Sequence, residues 1–365
     1  MEGDLIKTYP YLTPLAWLYG IATGIRNLMF EAGILKSKSY DVPVISIGNL
    51  TAGGTGKTPH TEYIIRLLQD KNQIAVLSRG YKRQSKGFVL ADKDTPMTKI
   101  GDEPYQMKKK FPDIHMAVDK DRCHGIEKLI SDSIKPEVDV ILLDDAYQYR
   151  YVKPGVNILL MDYHRLIYYD KLLPAGRLRE SKSGKNRADV VIVTKCPTYL
   201  TPMDKRGIER SLNLESWQQL FFTTFTYGNP YKVANSSESI TLEELKSKDI
   251  LLVTGIASPE QMEYDLTRLG IKFESLHFAD HHNFTSADIK QIKDRSRDKL
   301  ILMTEKDAAR IEGLFGEDTE RVYALPVQVE FMGDKDDIDF NQIIKSYVSK
   351  NSRNSILSKK QNHGR

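Results

Sequence analysis

Thr51-Ala52-Gly53-Gly54-Thr55-Gly56-Lys57-Thr58 is the stretch whose reading decides the fold. It follows the apolar run 42–47 and precedes the helix-like segment 61–68, so the order predicts a strand, a sharp turn and a helix. Gly53, Gly54 and Gly56 tolerate the positive φ that such a turn demands. Successive N–H groups aimed at one point, backed by the positive end of a helix, form a cradle for phosphate. In such a cradle Lys57 reaches the β- and γ-phosphates and the Thr58 hydroxyl ligates Mg2+. The general pattern has Gly where this chain has Thr51, although Gly48 stands three residues earlier.

Outward from the loop, short apolar runs at 74–77, 87–90, 115–118, 138–143, 156–161 and 190–193 alternate with helical stretches such as 122–130. Runs apolar on both faces belong to parallel strands covered by helices. A second alternation follows, with strands at 250–254, 272–276 and 300–303 and a helix at 260–269. The expected class is α/β: a parallel sheet of the nucleotide-binding P-loop type with helices on both faces, plus a smaller α/β C-terminal domain. The expected segments are 1–38, an N-terminal membrane-associating helix; 39–220, the P-loop domain; 221–345, the smaller domain; and 346–365, a basic tail. That tail region, with six Lys or Arg and no acid from Lys345 onward, reads as disordered.

Ligands of such sheets gather outside the carboxyl ends of the strands. The run 140–143 ends there in Asp144-Asp145, placed for a carboxylate to reach Mg2+. Asp102-Glu103 precedes a helix, as a cap or as a general base with a neighbour near the metal. Arg177, Arg179 and Glu180 stand beside Pro174 and Gly176 in a loop suited to gripping an anionic group. His281 and His282 follow Asp280, and with no cysteine nearby an acid–His pairing is a better reading than a zinc site.

The 365 residues suffice for two cores, and 40% apolar with 28% charged residues is a globular composition. A net charge of +4 does not point to nucleic acid and suits an anionic membrane surface. Two cysteines, Cys123 and Cys196, leave no disulfide framework, and Glu2 and Asp4 replace the basic start of a signal peptide, so a cytosolic location is expected. Residues 8–25 carry no charge, but Pro10, Pro14, Gly20 and Gly24 dilute their apolarity. Leu15, Leu18, Ala22, Ile25 and Met29 share one helical face, and Tyr11, Trp17 and Tyr19 favour the headgroup region. A helix lying on a membrane is expected; a helix packed on its own domain is the alternative.

Together these segments resemble the lipid A 4′-kinases, or tetraacyldisaccharide 4′-kinases. The likeness is carried in order by 14–20, 47–50 with the Gly-rich loop, Ser78-Arg79-Gly80-Tyr81, Gly101-Asp102-Glu103-Pro104, 144–148, 173–180, 280–282 and Thr304-Glu305-Lys306-Asp307. Thr51 resembles that family's own variant of the loop. The resemblance implies ATP- and Mg2+-dependent phosphorylation of the 4′-hydroxyl of a tetraacylated glucosamine disaccharide 1-phosphate, the lipid A precursor. The implied place is the inner leaflet, at the cytosolic face of the Gram-negative inner membrane, without nucleic acid or an obligatory protein partner. By the same resemblance, residues 51–58 bind ATP, and Thr58, Asp144 and Asp145, assisted by Glu103 and Glu180, serve the metal. Asp102 is then the base, His281 its partner, and Lys57 a catalytic phosphate ligand, with Arg79, Arg177, Arg179 and His282 toward the substrate. The rival is a membrane-associated P-loop NTPase switch, whose signature Lys before the Gly-Gly pair is replaced here by Ala52.

Overall fold

The computed structural model describes residues 8–256, 259–280, 282–311 and 313–352. The chain divides into two compact units, residues 1–225 with 329–365 and residues 226–328.

The first unit is built on a sheet whose strands are β1 (Val44–Asn49), β2 (Ile74–Ser78), β3 (Val89–Ala91), β4 (His115–Val118), β5 (Val140–Asp144), β6 (Val156–Asp162), β7 (Val190–Thr194) and β8 (Gln219–Tyr227), with β14 (Val327–Phe331) at one edge. The order is β14-β8-β7-β6-β1-β5-β2-β4-β3. From β8 to β4 every pairing is parallel, and β3 closes the far edge antiparallel to β4. Every residue of β1, β2, β5 and β7 is buried, which is why these strands read as unbroken apolar runs.

The helices are α1 (Thr13–Glu31), α2 (Lys57–Leu68), α3 (Met97–Ile100), α4 (Asp102–Lys110), α5 (Arg122–Leu129) and α6 (Pro202–Leu212). The α6 segment is polar in composition. It is a helix because Thr201 and Asp204 form a capping box and Asn213 ends it at φ 45°; only Ile208 and Leu212 are buried, too few to show a periodic stripe.

The second unit carries a sheet in the order β11-β10-β12-β13-β9, formed by β9 (Tyr231–Lys232), β10 (Ile250–Thr254), β11 (Glu274–His277), β12 (Leu300–Thr304) and β13 (Val322–Leu325). It is parallel except for β9. Its helices are α7 (Leu242–Leu245), α8 (Glu260–Arg268), α9 (Ser286–Ser296) and α10 (Glu305–Ile311).

The last helix, α11 (Asp336–Lys350), returns to the first unit. Phe340, Ile344 and Val348, spaced by four, join the core of β1, β5 and β6, and Phe340 stacks edge-on to Phe221 at 5.7 Å. Burying three such side chains contributes about 1.5–3 kcal/mol each. The expected segment 221–345 therefore differs from the compact unit 226–328, and the expected tail starts inside a helix, while residues 353–365 lie outside the described residues.

Candidate active site

At the carboxyl end of β1 the chain enters the Gly-rich loop, which is zipped onto residues 177–179. Thr51 bridges Leu178 antiparallel, Ala52 N–H donates to the Arg177 carbonyl at 2.7 Å, and Arg179 N–H donates to the Leu50 carbonyl at 2.7 Å. Position 51 is thus extended, and glycine has no advantage there. Gly53 and Gly56 do adopt positive φ, +129° and +80°. Gly54 does not, correcting the expectation for it; open space surrounds it instead. Nor is Gly48 a displaced cradle glycine. A Cβ there would lie 2.7 Å from the Tyr147 Cβ, so the residue serves the close approach of the segment after β5.

That segment delivers the acids. β5 lies beside β1 with Asp144 opposite Ile47, and Lys57 Nζ at the start of α2 is 3.7 Å from Asp145 Oδ1. Arg179 Nη1 donates to the same oxygen at 3.0 Å. Burial alone drives the Asp145 carboxyl up, but Lys57 and Arg179 outweigh it and hold the group below its ordinary value. Its φ of 47° is costly for a residue with a side chain, and such strain gathers at functional sites.

Asp144 goes the other way. Burial, then the charges of Glu103 and Asp145, push it up to about 7 against the pull of Lys57 and of a 3.2 Å hydrogen bond from Ser78 Oγ to Oδ2. Its Oδ1 is buried with no hydrogen-bond partner among the described residues. A bare carboxylate oxygen beside a second carboxylate fits a small hard cation. Among the described residues no group of three or more His, Cys, Asp or Glu is arranged to hold a metal ion unaided. That agrees with Mg2+, which takes one or two carboxylates and completes its shell with phosphate and water.

Asp102 reaches the same sheet edge through two glycines. Gly80, at φ 68° after β2, leaves no room for a Cβ, which would sit 2.8 Å from the Ile100 carbonyl; a Cβ on Gly101, at φ 94°, would lie 2.7 Å from the Tyr81 carbonyl. The loop after β2 and the turn into α4 therefore nest backbone to backbone. Asp102 opens α4 with its Oδ1 accepting from the Glu103 N–H at 3.0 Å, and Arg79 is exposed on the neighbouring loop.

The other expected residues separate. Arg177 is exposed, its side chain beside Gly53, with Nη1 3.5 Å from where a Cβ of that glycine would be. Glu180 is buried and its oxygens accept from Asn27 at 2.9 Å, Arg187 at 2.8 Å and Gln148 at 3.4 Å, so it fastens α1 to the sheet instead of facing Lys57. In the second unit His282 Nε2 lies 3.0 Å from Asp288 Oδ2, the carboxylate of the α9 capping box, with its ring between Phe278 and Phe284. His281 lies outside the described residues. Asp307 is consumed locally: it accepts from the Gly255 N–H at 2.9 Å and the Thr304 hydroxyl at 2.7 Å, and pairs with buried Arg310 at 3.0 Å.

Three supporting residues escaped the sequence reading. Buried Glu62 on α2 pairs with Lys110 at 2.7 Å and accepts from Gln106 at 3.3 Å, fixing α4, which carries Asp102 at its start. Buried Arg122 donates to the Asp119 carbonyl at 3.0 Å and approaches the Asp144 carbonyl at 3.4 Å. Buried His60 lies between Gly56 and Thr223, and burial lowers its pKa to about 4, so it is neutral. The only available signal was their place on otherwise apolar helix faces.

The α1 helix is polar inward. The Tyr19 hydroxyl donates to the Arg179 carbonyl at 2.6 Å, Arg26 to the Gln148 carbonyl at 3.3 Å and Asn27 to Glu180. Its outward face is apolar, with Trp17 72%, Leu18 65% and Ile21 58% exposed beside Leu15, Ile25 and Leu28. No helix among the described residues is long and apolar enough to cross a membrane.

The profile of the tetraacyldisaccharide-1-P 4′-kinases matches residues 8–348. The tetraacyldisaccharide 4′-kinase of Phocaeicola vulgatus is 54% identical over 98% of this chain and 100% of that one, and that of Bacteroides thetaiotaomicron 51% identical over 99% of each. A crystal structure of "apo" form LpxK from Aquifex aeolicus in complex with ATP superposes with a TM-score of 0.74 at 29% identity, covering 93% of this chain and 98% of that chain. Matched along nearly its whole length, this α/β chain belongs to the tetraacyldisaccharide-1-P 4′-kinase family.

Proposed function

We propose that the chain transfers the γ-phosphate of ATP to the 4′-hydroxyl of a tetraacylated glucosamine disaccharide 1-phosphate, a step of lipid A biosynthesis at the cytosolic face of the inner membrane. The observation that carries this reading is the approach of Lys57 to Asp145 at 3.7 Å, with Asp144 alongside, at the carboxyl ends of adjacent strands. Phosphoryl transfer needs positioning and charge neutralisation more than covalent help from the protein. Lys57 and the free amides of the loop 51–58 hold the phosphates, and Asp102 takes the proton of the acceptor hydroxyl. Arg79 and Arg177, both exposed, are offered to the anionic acceptor, while Arg179 steadies Asp145.

Thr58, Asp144 and Asp145 would hold Mg2+ with Glu103 as an outer neighbour; Glu180 is left out of the ligand set because both its oxygens are engaged, and His282 of the substrate set because its Nε2 is held by Asp288. Bound there, Mg2+ supplies neutralisation of phosphate charge.

The test is transfer of labelled γ-phosphate from ATP, with Mg2+ and detergent, onto the disaccharide 1-phosphate. Labelled product is expected, with a loss of at least about 10²-fold in Lys57→Ala. Hydrolysis of ATP stimulated by liposomes, without labelled lipid, would overturn the reading.

The reversed polarity of α1 supports membrane docking, because its polar side is spent on the protein and its apolar side is left outward. Changing Leu18 and Ile21 together to Asp removes two insertable side chains of about 1.5–3 kcal/mol each, so liposome partitioning is expected to fall roughly hundredfold with the melting temperature unchanged. Co-sedimentation checks this, and undiminished partitioning would count against docking through α1. Deleting residues 1–38 is a blunter test, since it also removes Tyr19, Arg26 and Asn27 from the site's support.

A further inference from the structure

His60 is 3% exposed and lies one helical turn beyond Gly56. Its Nδ1 is 2.8 Å from the Gly56 carbonyl and its Nε2 is 3.1 Å from the Thr223 hydroxyl. A carbonyl only accepts, so the hydrogen is on Nδ1, and Nε2 accepts from Thr223. The same carbonyl also accepts the His60 main-chain N–H, at 3.3 Å.

The peptide between Gly56 and Lys57 is planar, with its C=O and N–H directed oppositely. Turning the carbonyl into the helix therefore turns the Lys57 N–H out of it, into the space the loop encloses. That N–H is one of the first-turn donors with no partner within the helix. Gly56 is also where the plane is softest, because a glycine at φ +80° has neighbouring conformations within easy reach. Strand β8 restrains it from a second direction: two residues beyond Thr223, on the same face of the strand, Phe225 places its Cζ 2.6 Å from where a Gly56 Cβ would be.

We propose that His60, held by Thr223, is a positioning residue for the nucleotide: it locks the Gly56–Lys57 peptide so that the Lys57 N–H faces the phosphates. This rests on the ATP-dependent reading above and adds a strut from β8 to the cradle, contributed by a residue that touches no substrate.

Calorimetric titration of the full chain with ATP and Mg2+ tests it, together with initial rates in both substrates. His60→Leu is expected to weaken ATP binding and raise the KM for ATP about tenfold, leaving the KM for the lipid acceptor unchanged. His60→Gln, whose amide donates to Gly56 and accepts from Thr223, is expected to recover most of that loss. Thr223→Val, close in volume, is expected to cost about threefold and carries the test if His60→Leu does not fold. ATP affinity unchanged in folded His60→Leu or in Thr223→Val, even with a lower melting temperature, would overturn the proposal. A wild-type chain that binds no ATP overturns the kinase reading itself, so the two failures are distinct.

Discussion

Asp102→Ala is expected to lower phosphate transfer by about 10²–10⁴-fold, the usual contribution of a general base, with ATP affinity unchanged. The split follows from where Asp102 stands. It opens α4, in the turn nested against the loop after β2, far in sequence from the Gly-rich loop. Its carboxylate also accepts the Glu103 N–H, so a loss in the alanine variant has two readings, chemistry or a frayed helix start. Asp102→Asn separates them, since an amide oxygen keeps that hydrogen bond but takes no proton. Transfer as low in the Asn variant as in the Ala variant identifies the base; turnover near wild type in either would remove Asp102 from the role. Initial rates at saturating ATP, with calorimetric ATP binding alongside, are the measurement.

Asp144→Asn is expected to abolish transfer and yet raise the melting temperature of the ligand-free protein by a few degrees at pH 8. The native carboxyl titrates at about 7 against an ordinary value of 3.8, because burial and the charges of Glu103 and Asp145 oppose its ionisation. Between those two pH values the folded chain binds the proton more tightly than the unfolded one. Wild-type stability therefore falls as pH rises from about 4 to about 7, and the cost is complete above that window. Asparagine carries no such cost, so the gap between variant and wild type should open across the window and vanish near pH 4. Melting curves at pH 4, 6 and 8 decide it; a variant less stable than wild type at pH 8 would mean that the Ser78 hydrogen bond outweighs the buried charge.

The cradle, the Asp144–Asp145 edge and the alternating strands were legible in the sequence because each rests on local rules: backbone freedom at glycine, apolar runs in buried parallel strands, acids at strand ends. What stayed hidden depends on partners distant in sequence. The role of Thr51 is set by Leu178, and the glycines 48, 80 and 101 by backbone they meet only after folding. Glu180 and His282 looked available for chemistry because nothing in the sequence marks Arg187 and Asp288 as their partners. The return of α11 to the first unit was equally invisible, since Phe340, Ile344 and Val348 say that a helix is buried but not against which sheet.

A protein that wears its apolar side chains on the outside of α1 changes what concentration means for it. If Trp17, Leu18 and Ile21 seat among lipids as proposed, the search for an acceptor confined to the same leaflet becomes lateral, in two dimensions. The governing quantity becomes molecules of acceptor per unit area. Diluting the leaflet with inert lipid slows such a catalyst at constant bulk composition, whereas adding more membrane of the same make-up does not bring the two closer together. Under that docking, the orientation of one helix would make the lipid composition of the bilayer, as much as the supply of acceptor, a control on flux.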